Sequence, residues 1–90
     1  MNKVIITVVG KDTVGIIAKV CTYLAENKIN ILDISQTIVS GYFNMMMITD
    51  MENASVDFEK IVEDLDALGD GIGVKIKAQK DDIFESMHRL

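Results

Sequence analysis

The spacing of apolar residues along this chain switches repeatedly between the period of a strand and the period of a helix. Residues 4–9 (VIITVV) are β-branched and mostly apolar on both faces, which is typical of a strand covered on both sides. Apolar residues then recur at helical spacing from Ile16 to Leu24 and again from Val56 to Leu68. Residues 74–79 alternate between apolar and polar, as a strand does when it buries one face.

Two more strands are predicted between the helices. Residues 30–39 and 42–51 are joined by a tight turn at Ser40–Gly41, which makes them a hairpin. The predicted order is βαββαβ, followed by a C-terminal helix over residues 80–90. This is the ferredoxin-like α+β sandwich, with an antiparallel sheet, strands one and three in its centre and both main helices on one face.

Size and charge narrow the class of protein further. The 90 residues have room for a single domain, with its core in residues 1–79. A net charge of −5 argues against general binding of nucleic acid and against an anionic membrane surface as partner. The sequence has neither an apolar stretch long enough to span a membrane nor the features of a signal peptide. We therefore expect a cytoplasmic protein.

Local signals predict where the helices begin and end. Thr13 is the predicted N-cap of the first helix, because its hydroxyl can accept a hydrogen bond from a free N–H, and Asn27–Lys28 ends it. Gly69 and Gly71 are predicted to stop the second helix, one of them in the left-handed conformation. Gly15 falls in the first turn of the first helix, so we expect either close packing or the approach of a ligand there.

The residues offer no arrangement for catalysis or metal binding. Cys21 is the only cysteine and lies on the apolar stripe of the first helix, which predicts a buried structural thiol. His88 is the only histidine and has no second ligand near it, so no metal or other cofactor is expected. Glu59, Glu63 and Asp66 fall opposite the apolar stripe of the second helix, as a solvated face does. We therefore do not expect an enzyme.

Two motifs at the ends of predicted strands carry a family resemblance. The first is Gly10-Lys11-Asp12-x-x-Gly15-Ile16, and the second is Asn30-Ile31-x-x-Ile34-Ser35-Gln36-Thr37. With both motifs the chain resembles an ACT domain over nearly its whole length, and most of all the short stand-alone ACT proteins of bacteria. It is also similar to the ACT segments of the glycine-cleavage regulator and of formyltetrahydrofolate deformylase. The resemblance implies a regulatory module that binds an amino acid or another small molecule, usually at a dimer interface.

The resemblance also implies which residues would hold the ligand. In members that bind amino acids, the loop after strand one and the start of helix one hold the carboxylate and the amine. A residue at the start of strand two, often from the partner chain, completes the site. Carried over by position, the implied ligand-binding residues are Lys11, Asp12, Thr13, Val14, Gly15, Ile16, Asn30 and Ile31.

The two predicted edges of the sheet differ in charge. Strand four carries Lys75 and Lys77, and charge on an edge discourages further pairing. Strand two, Asn30 to Val39, carries only Asp33 among many apolar residues. We therefore predict a homodimer in which strand two pairs with its counterpart across a two-fold axis. A small amino acid at that interface is the first functional hypothesis, and a protein-interaction module without a small ligand is the alternative.

Strand three is rich in methionine. Four of its residues are Met45, Met46, Met47 and Met51. Two interpretations stay open at this point: filling of the core on both faces of the sheet, or an adaptable surface for a partner.

Overall fold

A computed structural model of the protein describes residues 2–11 and 13–81. The elements are β1 (Lys3–Lys11), α1 (Ile16–Glu26), β2 (Asn30–Val39), β3 (Tyr42–Asp50), α2 (Phe58–Ile72) and β4 (Val74–Lys80). This order confirms the predicted βαββαβ arrangement. No helix in these residues is both long enough and apolar enough to cross a membrane.

The sheet has four antiparallel strands in the order β2-β3-β1-β4. Strands β1 and β3 are therefore central, and β2 and β4 are the edges, as predicted. The hairpin between β2 and β3 turns at Ser40 and Gly41, whose φ angles are +52° and +79°. Positive φ at both central residues is typical of the tight turns that join two antiparallel strands.

The helices cover one face of the sheet. Val8 of β1 is paired with Met45 of β3 and Ile76 of β4, so the three side chains share that face, and all three are buried. The same core holds apolar side chains from both helices, namely Ile16, Val20, Leu24, Ile61 and Leu65. The opposite face, called the open face below, consists of the alternate residues of each strand. Among the methionines, Met45, Met47 and Met51 fill the core, whereas Met46 lies on the open face and is 44% exposed.

Helix α2 passes through both glycines that the sequence predicts as its end. It continues to Ile72, and the residue in the left-handed conformation is Gly73, with φ +79°. Gly69 lies buried against β4, where a Cβ atom would stand 2.6 Å from the carbonyl oxygen of Val74. The prediction for Gly69 and Gly71 is wrong, because Gly69 serves the close approach of helix and strand rather than the end of the helix.

The start of α1 also differs from the prediction. The N-cap is Gly15, and no side chain caps the helix. The hydroxyl of Thr13 instead donates to the carbonyl oxygen of Lys11, across 3.3 Å. Gly15 has φ +91°, and a Cβ atom there would meet none of the described residues within 4 Å. The left-handed backbone, not close packing, therefore accounts for this glycine.

The predicted C-terminal helix begins too early. Lys80 is the last residue of β4 and pairs with Val4, so it belongs to the sheet. The backbone N–H of Asp81 donates to the carbonyl oxygen of Lys3, across 3.1 Å, which continues the pairing with β1. The rest of that predicted helix, residues 82–90, lies outside the described residues.

Candidate functional site

The loop between β1 and α1 brings the first group of implied ligand-binding residues to one end of the sheet. Lys11 ends β1, and Ile16 begins α1 with its side chain buried. Between them, Val14 is fully exposed at 100%. Asp12 lies outside the described residues. The first turn of α1 carries no acidic residue, and no side chain caps it, so its backbone N–H groups face the loop without a side-chain partner from the described residues.

The second group of implied residues lies at the opposite end of the same sheet. Asn30 pairs with Asp50, which in turn pairs with Lys3 at the start of β1. Lys11 lies at the other end of β1 and pairs with Tyr42, and the loop follows Lys11. At about 3.4 Å per residue, the length of β1 separates the two groups by roughly 27 Å. One copy of the chain therefore does not bring together the two parts of the implied site.

Strand β2 is exposed along nearly its whole length. Only Ile31 is partly buried, and the other nine of its 10 residues are exposed. Ile34 and Ile38 are paired with Met47 and Phe43, so they lie on the helix-covered face, yet they are 44% and 57% exposed. The two helices leave this margin of the sheet uncovered. Strand β2 is thus an edge strand with apolar side chains in contact with solvent, and this property favours dimerisation.

Exposed apolar side chains gather at the loop end of this edge. Val39 pairs with Tyr42, and these two residues are 63% and 56% exposed. Ile38 and the fully exposed Val14 lie at the same end of the sheet. Val14 belongs to the first sequence motif, whereas Tyr42 belongs to neither motif, because only the strand register shows that the start of β3 lies beside the end of β1.

A hydrogen-bonded group of side chains joins the two helices. The hydroxyl of Tyr23 on α1 donates to a carboxylate oxygen of Asp64 on α2, and the Lys60 ammonium lies 3.0 Å from the other oxygen. These bonds, first from Tyr23 and then from Lys60, lower the pKa of Asp64. Burial and then the Asp64 carboxylate raise the pKa of Tyr23. This group connects the helices and takes no part in the loop.

Metal-ligating side chains do not cluster within residues 2–11 and 13–81. Cys21 is partly buried and packs against the core, so the predicted structural thiol is less enclosed than expected. Glu59, Glu63 and Asp66 are exposed, as predicted for a solvated face. His88 lies outside the described residues.

Comparison with known families identifies the class of protein that this fold defines. The sequence model of the ACT domain matches residues 2–79. The chain therefore belongs to the ACT domain family, whose members are generally regulatory modules that bind small ligands. The resemblance stated on the two motifs is thereby confirmed.

Full-length relatives support the same assignment. A UPF0237 protein of Bifidobacterium longum is 63% identical over 90 residues, which is 100% of both chains. The solved structure of an ACT domain protein from Streptococcus pneumoniae is 44% identical, with a TM-score of 0.83, and the match covers 93% of this chain and 94% of that one.

Two more distant structures share the fold alone. A formyltetrahydrofolate deformylase from Pseudomonas syringae pv. tomato is 21% identical, with a TM-score of 0.84, over 91% of this chain and 28% of its own. A protein described as a putative glycine cleavage system transcriptional repressor is 20% identical, with a TM-score of 0.77, over 88% of this chain and 45% of its own. The predicted similarity to both proteins is confirmed at the level of fold.

Proposed function

We propose that the protein is a non-catalytic, homodimeric regulatory module of the cytoplasm that senses a small amino acid or a related anion. The ligand site is shared between two copies of the chain. One observation carries this proposal: the loop group around Gly15 and the strand group at Asn30 and Ile31 lie at opposite ends of one sheet. A second copy supplies the missing group at each end.

An antiparallel pairing of the two β2 strands provides the required geometry. When the pairing is centred between Ile34 and Ser35, Asn30 of one copy stands opposite Val39 of the other. Val39 lies at the end of the sheet that carries the loop, because it pairs with Tyr42, the partner of Lys11. Asn30 of the second copy is then brought to the loop end of the first. The two-fold axis repeats this arrangement, so that the dimer has two equivalent sites.

The same pairing covers the apolar margin of the sheet. Ile34, Ile38 and Val39, now 44%, 57% and 63% exposed, contact the second copy. Removal of apolar surface from water stabilises association by about 25 cal/mol per Å². The pairing also satisfies the N–H and C=O groups along the free side of β2, which otherwise form a template for unwanted partners.

The chemistry at the shared site suits a compact zwitterion. The backbone N–H groups of the first turn of α1 attract a carboxylate, since the positive end of the helix dipole lies there. The Asn30 amide both donates and accepts, and the resemblance implies that Asp12 receives the ammonium group. An amino acid has few atoms, so we expect dissociation constants on the order of micromolar to millimolar.

A titration of the full chain with each common amino acid by calorimetry tests the proposal. We expect saturable binding of at least one, and about a tenfold loss of affinity in Asn30→Ala. Asn53→Ala is the matched control, because Asn53 is an exposed asparagine outside both implied groups. A folded dimer that binds none of the amino acids would refute the sensor function.

The exposed edge also supports the second candidate, a protein-interaction module without a small ligand. In that case β2 pairs with a strand of another protein rather than with a second copy. The two candidates differ in solution mass: the sensor is a dimer on its own, whereas the interaction module is a monomer of 10.0 kDa until its partner is added. Light scattering of the purified chain separates them.

A further inference from the structure

A shallow groove of about 590 Å³ crosses the open face of the sheet and takes lining residues from all four strands. Its volume falls in the range of small-molecule sites, about 300–1,000 Å³. It lies on the face opposite the helices and takes none of its lining from the loop group or from Asn30 and Ile31. It is therefore separate from the site proposed above.

Two rows of side chains cross the groove from edge to edge. The strand register sets the first row as Lys77, Thr7, Met46 and Ser35. It sets the second row as Lys75, Val9, Asn44 and Thr37. Each row thus has a lysine at the β4 edge and a hydroxyl-bearing residue at the β2 edge, and their backbone positions are about 14 Å apart across three strand spacings.

The two lysines make one wall of the groove cationic. Lys75 and Lys77 are two residues apart on the same face of β4, so their backbone positions are roughly 7 Å apart. None of the described residues that line the groove is acidic. The wall therefore has the opposite sign to the chain as a whole, whose net charge is −5. A group with two negative charges and several oxygen acceptors complements two adjacent ammonium groups.

The floor of the groove is apolar at its centre. Val9 and Met46 are 45% and 44% exposed, and they lie diagonally on the neighbouring central strands. The flexible thioether of methionine adapts to flat or irregular apolar groups. Beyond this floor, Ser35 and Thr37 offer hydroxyl groups that donate or accept hydrogen bonds.

We propose that this groove binds a small organic phosphate, with its phosphoryl group between Lys75 and Lys77 and its apolar body on Val9 and Met46. A phosphate monoester carries about −1.5 to −2 charge at pH 7, which matches the two ammonium groups. The apolar body distinguishes such a ligand from free phosphate, since only the body removes the exposed surface of Met46 from water.

Phenyl phosphate is the probe, because it combines a dianion with a flat apolar body. The full chain, labelled with ¹⁵N, is titrated while the backbone amide signals are followed by NMR. We expect saturable shifts at Thr7, Val9, Asn44 and Met46. Inorganic phosphate, titrated in parallel, should bind at least several-fold more weakly. Equal affinity for the two compounds, or shifts spread over all exposed lysines, would contradict the proposal.

Charge variants of the two lysines on β4 test whether they bind the phosphoryl group. Lys75→Gln/Lys77→Gln should lower the affinity for phenyl phosphate by about tenfold or more, since two charge-assisted contacts are lost. Lys19→Gln/Lys28→Gln removes the same charge from exposed positions on and after α1, and should leave the affinity unchanged. A charged edge limits association between sheets, and Lys75→Glu/Lys77→Glu keeps this edge charged. The same variant reverses the charge of the wall and should abolish binding of phenyl phosphate. Undiminished binding in both β4 variants would overturn the proposal.

The binding of phenyl phosphate should not depend on the proposed amino-acid site. Asn30→Ala should leave the affinity for phenyl phosphate unchanged, because Asn30 does not line the groove. If residues 82–90 or a second copy occupied the open face, phenyl phosphate would cause no saturable shift at Met46, and the proposal would fail while the amino-acid site stood.

Discussion

The hydroxyl of Tyr23 on α1 lies 2.7 Å from the carboxylate of Asp64 on α2, to which it donates a hydrogen bond. Asp64 is also bonded to Lys60, so one carboxylate receives donors from both helices. The deprotonated carboxylate accepts both bonds, which is why the pKa of Asp64 lies below its ordinary value. The group therefore links α1 to α2 through side chains.

Stability should therefore depend on pH through Asp64. Its pKa is lower in the folded state than in the unfolded state, so its contribution is fully present above the unfolded pKa and is lost as pH falls through the folded pKa. We expect Asp64→Asn to lower the melting temperature by a few degrees at neutral pH, and we expect the difference to shrink as the pH falls below the ordinary pKa of a carboxyl group. Thermal unfolding followed by circular dichroism measures this. Glu63→Gln is the control, because it changes an exposed carboxylate on the same helix and leaves both bonds of Asp64 in place.

Two glycines of α2 should respond to alanine in opposite directions. A Cβ atom at Gly69 would stand 2.6 Å from the Val74 carbonyl oxygen, so Gly69→Ala must push helix and strand apart, at a cost of about 1–3 kcal/mol. A Cβ atom at Gly71 meets nothing within 4 Å among the described residues, so Gly71→Ala should stabilise the helix by about 0.5–1 kcal/mol. Urea unfolding gives both values. Equal effects of the two changes would contradict the packing described here.

Gly15 should tolerate asparagine better than alanine. Its φ of +91° is unfavourable for residues with a Cβ atom, and no contact with the described residues opposes a side chain there. We expect Gly15→Ala to reduce the free energy of unfolding by about 1–2 kcal/mol, because the left-handed region strains alanine. Gly15→Asn should cost less, since asparagine enters that region more readily. Urea unfolding compares the two variants. If Gly15→Ala left the free energy of unfolding unchanged, the loop would have relaxed around the alanine.

Charge on the β2 edge should prevent dimerisation. Ile34 is 44% exposed on that edge, and a lysine there would bring like charges together across the two-fold axis. We expect Ile34→Lys to be mainly monomeric at micromolar concentration by sedimentation velocity, while the unmodified chain is a dimer. Val62→Lys is the control, since Val62 is 39% exposed on α2, away from the edge. A dimer that survives Ile34→Lys would place the interface elsewhere.

Periodicity predicts this fold well because the main elements bury one side or both. The alternation of Val74, Ile76 and Ala78 marks β4, and the helical spacing from Ile16 to Leu24 marks α1, both as observed. The edges follow from topology, so β2 and β4 are placed correctly as soon as the order of elements is known.

The roles of individual glycines are harder to predict from the sequence. Gly69 and Gly73 stand close together in the chain, yet one permits contact with a strand and the other adopts positive φ. Both uses favour the same residue type, because both depend on the missing Cβ atom. The tertiary position of the helix separates them, and that position is not a local property.

The candidate site is predicted only in part for a similar reason. The motifs around Gly15 and Asn30 are visible in the sequence, but their separation along β1 depends on the register of three strands. Strand pairing decides which side chains meet across the sheet, and the paired residues are often far apart in the sequence.

The bond from Asp81 to Lys3 has a consequence for how this domain can be built into larger proteins. Asn2 lies beside it, since its carbonyl oxygen accepts from Met51, so both ends of the sheet-forming chain leave at one corner. That corner is far from the loop at Gly15, which follows the other end of β1. The described chain therefore enters and leaves the sheet at the end opposite the loop. A sheet that the chain enters and leaves at one corner can be inserted or duplicated within a larger protein through connections at that corner, with the loop at the far end.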